Sequence, residues 1–202
     1  MTTAQMFPVS LNLTQKQCLV VGGGSIAERR VQSVLACGAT VHVVSPELTL
    51  WLAGAAHQGT LRWTRATFCP THLQGTAVVF VATDDRQTNA RIAALARQHS
   101  CLVNVVDDPQ HCDFYMPAIV RRGALSVAVA TDGQAPAFAA WIRKCLDRLL
   151  HRDLGQLVAH YARQRLSLQQ RHPSMPARVR AWEQLLADDA PEIFAYECHF
   201  TN

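Results

Sequence analysis

The stretch that most constrains this chain is CLVVGGGSIAERR, Cys18 to Arg30. Cys18–Val21 reads as a short buried strand, and Ser25 to Cys37 as a helix. Ile26, Ala27, Arg30, Val31, Val34 and Leu35 share one helix face, and Gly38 closes it. Gly22, Gly24 and Ala27 fit G-x-G-x-x-A between the two elements. The first glycine permits the tight turn, the second lets a pyrophosphate approach the backbone, and the small third residue lets helix and strand pack closely. The helix N-terminus offers free N–H groups and a partial positive charge to the phosphates. The pattern predicts dinucleotide binding. The alternative is a glycine turn needed only for packing.

Further strands are read at ATVHVVS (39–45), AVVFVATDD (77–85) and CLVNVVDD (101–108), with a helix over 86–99. They are apolar on both faces and alternate with helical stretches, which predicts an α/β fold with a covered parallel sheet. The pattern changes after Asp113. FYMPAIVRR, a turn at Gly123 and ALSVAVATDG read as two strands, and Pro136 opens a helix carrying Phe138, Trp141, Ile142, Cys145, Leu146 and Leu149. This block is too small to bury its own apolar face. The remainder is helical, with a stripe at Leu154, Leu157, Val158 and Tyr161 and a break at HPSMP (172–176). Three divisions follow: a Rossmann-like domain over 1–113, a small α+β domain over 114–150, and a helical C-terminal domain over 151–202.

In a parallel sheet, ligands sit at the carboxyl ends of strands. Glu47, just past the second strand, is the acidic residue placed to hold ribose hydroxyls, and no arginine adjoins it in sequence to favour a 2′-phosphate, so NAD is expected over NADP. Thr83 and Asp84 either touch the cofactor or cap the helix that follows. Asn104, Asp107 and Asp108 stand at or near the end of the strand over 101–108; the plain reading of Asp-Asp-Pro is turn chemistry. His111 and Cys112 are adjacent, a poor spacing for two ligands of one metal, and no metal site is expected.

The chain has 202 residues, 49% apolar, and a net charge of +4. That composition supports a real core and shows no dense basic tract, so no nucleic-acid partner is expected. No run reaches membrane-spanning length, and the first residues lack the basic-then-apolar start of a leader. The seven cysteines, Cys198 included, are scattered singly and read as buried reduced thiols of a cytoplasmic protein.

Taken together, FPVSLNL, CLVVGGGSIAERRV, ATDD, NVVDDP and CDFYMPAIVRRGALSVAVATDGQAPAFAAWIRKCL resemble the precorrin-2 dehydrogenase / sirohydrochlorin ferrochelatase family, from about Phe7 to Leu150. The resemblance implies NAD-dependent oxidation of precorrin-2 to sirohydrochlorin in siroheme synthesis, with Fe(II) insertion in bifunctional members, and a homodimer built through 114–150. It implies that Gly22, Gly24, Ser25 and Ile26 form the pyrophosphate turn and that Pro46 and Glu47 touch the adenosine ribose. Thr83 and Asp84 then lie beside the cofactor, and Asp107 is the base. It places Thr131 at the substrate, where Asn104 is also expected; Arg121, Arg122, Arg143 and Lys144 are candidate cations for its many carboxylates, with a solvated surface charge as the alternative reading of each. Arg29 and Arg30 match the family's basic pair in the first helix, where a structural role is an equal reading. One departure is Ala135, where the family often has a serine; a hydroxyl is missing there. No methyltransferase sequence follows within these residues, so precorrin-2 is expected from elsewhere.

Two other readings compete. One is a non-catalytic dinucleotide or tetrapyrrole sensor, against which Asp107 argues, since a sensor has little use for a base. The other is an unrelated oxidoreductase; no Y-x-x-x-K pair supports a short-chain dehydrogenase.

Overall fold

A computed structural model of the chain describes residues 5–194; Cys198 and the last residues of the expected helical domain lie outside them. The chain divides into two compact units, Met1–Tyr115 and Met116–Asn202. The tail from 151 thus belongs to the same unit as 116–150.

The first unit runs β1 (Gln17–Val21), α1 (Ser25–Leu35), β2 (Thr40–Val44), α2 (Leu50–His57), β3 (Arg62–Thr64), β4 (Thr76–Val81), α3 (Arg86–Gln98) and β5 (Leu102–Val105). The five strands form one parallel sheet in the order β3-β2-β1-β4-β5. The order reverses between β1 and β4, which opens a crevice at their carboxyl ends. Side chains alternate across the sheet. Leu19, Val21, Val79, Val81, Val103 and Val105 pack with Ile92, Ala93 and Ala96 of α3. Val20, Phe80 and Asn104 lie in register and so point to the opposite face. Right-handed crossovers from β1 to β2 place α1 on that second face. Burial on both sides explains the unbroken apolar runs. The reading from sequence assigned nothing between 46 and 76, where the structure has α2 and β3.

The outer edge of β5 is closed by side chains. Asp113 Oδ2 accepts from Val103 N at 2.9 Å, and Cys112 Sγ accepts from Val105 N at 3.2 Å. Arg97 holds the other oxygen of Asp113 at 2.8 Å. Each bond satisfies backbone that an unpaired edge would leave open.

The second unit holds an antiparallel hairpin, β6 (Ala118–Arg122) and β7 (Leu125–Val129), then α4 (Pro136–Leu149), α5 (Leu154–Arg171) and α6 (Met175–Phe194). Gly155 approaches so closely that a Cβ there would lie 2.4 Å from the Arg122 carbonyl oxygen. Phe138 and Trp141 of α4 stack at 5.8 Å yet remain 55% and 57% exposed. The small α+β block therefore leaves apolar surface uncovered, as its size predicts.

Among the described residues the cysteines are free thiols, but only Cys18 and Cys101 are buried: Cys37, Cys112 and Cys145 are half-buried and Cys69 is exposed. No helix of the described residues is long and apolar enough to cross a membrane.

Candidate functional site

The three glycines of the β1–α1 turn have three different jobs. Gly22 has φ +123°, and a Cβ there would sit 2.3 Å from the Ala82 carbonyl oxygen. Its conformation and its neighbour both demand glycine. Gly23 would place a Cβ 1.8 Å from the Glu47 carbonyl oxygen. It locks the turn against the end of β2, helped by Thr49 N donating to Gly23 O at 3.0 Å. The G-x-G-x-x-A reading treats that position as free, so this role was missed. At Gly24 nothing lies within 4 Å of an added Cβ. The backbone there is bare and faces open space.

Gly24 is also the N-cap of α1, and no side chain caps the helix. Glu28, the acidic residue of the first turn, is drawn aside: it accepts from Thr49 Oγ1 at 2.5 Å and from Gln32 Nε2 at 3.3 Å. The first-turn N–H groups at Ser25 and Ile26 are left to an anion, the arrangement a pyrophosphate requires. Ala27 is 1% exposed and packs the helix on the sheet.

At the end of β2, Pro46 and Glu47 are exposed. Arg65, just past β3, donates from Nε to Pro46 O at 3.3 Å. Arg65 therefore lies beside Pro46, next to Glu47, although it is remote from both in sequence. β3 pairs beside β2 and brings it back. At the end of β4 the helix cap is Asp85, which accepts from Gln87 N and Thr88 N at 3.2 and 3.1 Å. The Thr88 hydroxyl, which also donates to Asp85, and then these backbone bonds hold its carboxyl below the usual carboxylate range. Asp84 is thus spared from capping and stays exposed. Thr83 donates to Asn89 Oδ1 at 2.5 Å, and Asn89 is buried.

Asp107 follows β5 directly, exposed and in the left-handed region at φ +54°. Val106 N still bonds to Val81 O at 3.0 Å, so the ladder ends one residue before it. Asparagine and aspartate tolerate such backbone better than other side chains, yet it still costs stability. Asn104 is deeper than expected, 5% exposed within β5. Its Nδ2 donates to Phe114 O at 2.9 Å, while its Oδ1 is buried without a partner. His111 pairs with Asp108 at 2.7 Å. The Cys112 thiol, its proton held by burial, faces the backbone of Val105 and Asp108. The two do not converge, and no metal-binding cluster occurs among the described residues.

In the second unit, Arg122 is engaged internally. It reaches Asp147 Oδ1 at 3.0 Å, Leu150 O at 3.1 and 3.0 Å, and Asp147 O at 2.7 Å. Arg121 donates to Ser126 Oγ at 2.9 Å and is otherwise exposed. Arg143 has only a long contact, 3.9 Å, to Asp147, and Lys144 is exposed. Thr131 Oγ1 accepts from Ala135 N at 3.1 Å, leaving its O–H free to donate. Ala135 itself is the N-cap of α4 and supplies no side-chain cap, the local consequence of the missing hydroxyl.

Comparisons with known proteins agree with this geometry. Residues 9–118 match the family described as "Putative NAD(P)-binding", and residues 122–149 match "Sirohaem biosynthesis protein central". The chain is 41% identical over 182 residues to siroheme synthase 1 of Aeromonas salmonicida, covering 90% of this chain and 39% of that one. It is 39% identical over 188 residues to siroheme synthase of Nitrosomonas eutropha, covering 93% and 40%. The chain thus spans about two fifths of the length of the curated relatives it matches. Among solved structures, "SirC, precorrin-2 dehydrogenase" superimposes with a TM-score of 0.71 and 26% identity, over 96% of this chain and 94% of that one. With the glycine turn, the parallel sheet and the hairpin block all in place, the chain belongs to the family described as putative NAD(P)-binding, and it is similar along most of its length to siroheme synthases and to SirC.

Proposed function

We infer that this chain oxidises precorrin-2 to sirohydrochlorin with NAD. The observation that carries the inference is the position of Asp107. It stands exposed at the carboxyl end of β5, in the same sheet whose β1 ends in the bare Gly24 backbone. Bound NAD supplies a hydride acceptor. The open Gly24 and the uncapped N–H groups of Ser25 and Ile26 fit its pyrophosphate, and Pro46 and Glu47 fit its ribose. Thr83, buttressed by Asn89, and the freed Asp84 border the same crevice. Asp107 takes the proton that the macrocycle gives up as hydride leaves it, so substrate and two electrons balance as sirohydrochlorin, reduced nicotinamide and a proton. In the second unit, Arg121 and Arg143 keep guanidinium N–H groups suited to carboxylates, and the Thr131 hydroxyl keeps a proton to donate. Arg122 stays in that set only if it gives up internal bonds.

Fe(II) is a further substrate in this reading, with Asp107 receiving pyrrole N–H protons as the metal enters. A second copy of the chain covers Phe138 and Trp141, giving a homodimer. The setting is the cytoplasm.

The test is a mixture of the protein, precorrin-2 and NAD without metal. Sirohydrochlorin and NADH are expected to form together, with Asp107→Asn at least about 100-fold slower, the usual scale of general-base loss. Turnover by the variant at the parent rate would remove Asp107 as base. NAD binding without turnover by the parent would leave a sensor.

A further inference from the structure

Arg30 lies on α1, next to buried Val31, on the helix that packs on the Asn104 face of the sheet. Its Nε is buried without a partner. No ion pair or side-chain hydrogen bond among the described residues engages its guanidinium. Burial and then Arg29 act against the cation, and the Asp107 carboxylate favours it; the Cys112 thiol is also within reach but keeps its proton. A guanidinium stays protonated under such pressure, and a desolvated cation with no direct partner is costly. Such a group is retained where an anion completes it.

The nearby orphan points the same way. Asn104 Oδ1 is the other buried, unpartnered side-chain atom described in the first unit. Its Nδ2 lies 3.6 Å from Cys112 Sγ, so the asparagine borders a thiol that lies within electrostatic reach of Arg30. One group is an unpaired donor and cation, the other an unpaired acceptor. A tetrapyrrole with peripheral carboxylates and inner pyrrole N–H groups offers both complements.

We propose that Arg30 is an anion-binding residue of the substrate site, taking one carboxylate of the tetrapyrrole beside Asp107. The proposal rests on the function inferred above. The cofactor's phosphates are a poorer match, because the bare turn and uncapped first-turn N–H groups of Gly24–Ile26 already suit them. The engagement of Arg122 within its own unit strengthens the need for another cation.

The experiment titrates sirohydrochlorin into the full chain without NAD, for the parent, Arg30→Met and Arg30→Lys, with NAD titrations and thermal melts of each. Arg30→Met is expected to bind sirohydrochlorin at least ~10-fold more weakly, the loss of one charge-assisted pair. Arg30→Lys recovers part of this, because it keeps the charge and loses the planar fork. NAD affinity stays within about twofold and the melting temperature does not fall, since removing a half-buried guanidinium whose Nε has no partner relieves a penalty. Sirohydrochlorin affinity within about twofold of the parent in a folded Arg30→Met protein overturns the proposal alone. A lowered melting temperature that Arg30→Lys restores, with binding unchanged in both, assigns Arg30 a structural role instead. A parent that binds no tetrapyrrole at all overturns the functional reading and this proposal with it.

Discussion

Adding one methyl group at Gly24 separates ligand space from packing space. Gly24 has φ −82° and ψ −174°, a conformation open to any residue, and its Cβ would meet nothing within 4 Å. Alanine there loses a few tenths of a kcal/mol as an N-cap and regains about 0.4–1 kcal/mol from a less flexible unfolded chain. The melting temperature of Gly24→Ala should stay within roughly 3 °C of the parent. NAD affinity should not survive. The methyl occupies the space where a pyrophosphate must meet bare N–H groups. Losing one or two charge-assisted hydrogen bonds of about 1.5–3 kcal/mol each weakens binding roughly 10- to 100-fold or more. Gly22→Ala is the contrast, since its Cβ would lie 2.3 Å from the Ala82 carbonyl oxygen at φ +123°. Strain and overpacking there cost about 3 kcal/mol, so its melting temperature should drop by roughly 6–12 °C. The assay is calorimetric NAD titration beside thermal melts of all three proteins. Parental NAD affinity in Gly24→Ala would show that the pyrophosphate does not sit over this turn. A loss of stability equal to that of Gly22→Ala would refute the open space.

Three further outcomes follow from the same structure. His42 is buried beside Thr64 at 2.9 Å, and burial, then Arg62 and His72, lower its pKa from 6.5 to about 4. The unfolded chain takes the proton first, so stability should hold above pH 6.5 and fall as pH drops from there towards about 4. The loss is at most about 3 kcal/mol; His42→Gln should flatten that part of the curve, and an unchanged slope would count against the assignment. Glu47→Ser removes the carboxylate that repels a 2′-phosphate and leaves Arg65 beside Pro46. NADP affinity should rise at least ~10-fold relative to NAD, measured by titration of both, and an unchanged ratio would place the ribose elsewhere. The double change Phe138→Ser with Trp141→Ser should convert a dimer into a monomer by light scattering at micromolar concentration, and a parent already monomeric there would sink the interface.

What the sequence made legible was whatever depends on short-range pattern. Apolar runs gave four strands of the sheet because both faces are buried, and the glycine turn gave its switch point. β3 and α2 were not legible: β3 is a three-residue edge strand and α2 is apolar almost all round, so neither carries a clear period. The site residues divide by the same rule. Gly22 and Gly24 declare themselves by spacing, whereas the role of Gly23 depends on the carbonyl of Glu47, twenty-odd residues away and just past another strand. Arg65 reaches Pro46 only because β3 pairs with β2. Asp84 and Asp85 look interchangeable as letters; hydrogen bonds to Gln87 N and Thr88 N make one a cap and leave the other exposed beside the crevice. Arg30 is the sharpest case. On the helix wheel it falls with Ala27, Val31 and Val34, where a long aliphatic stem under an exposed head is the ordinary outcome. Only the packed structure shows that its Nε is buried and unpaired, and that Asp107 is the carboxylate whose charge reaches it. A cation that violates the apolar pattern of its helix face, at the end of the sheet where Asp107 stands, is placed at a cost to stability that function, not folding, has to explain.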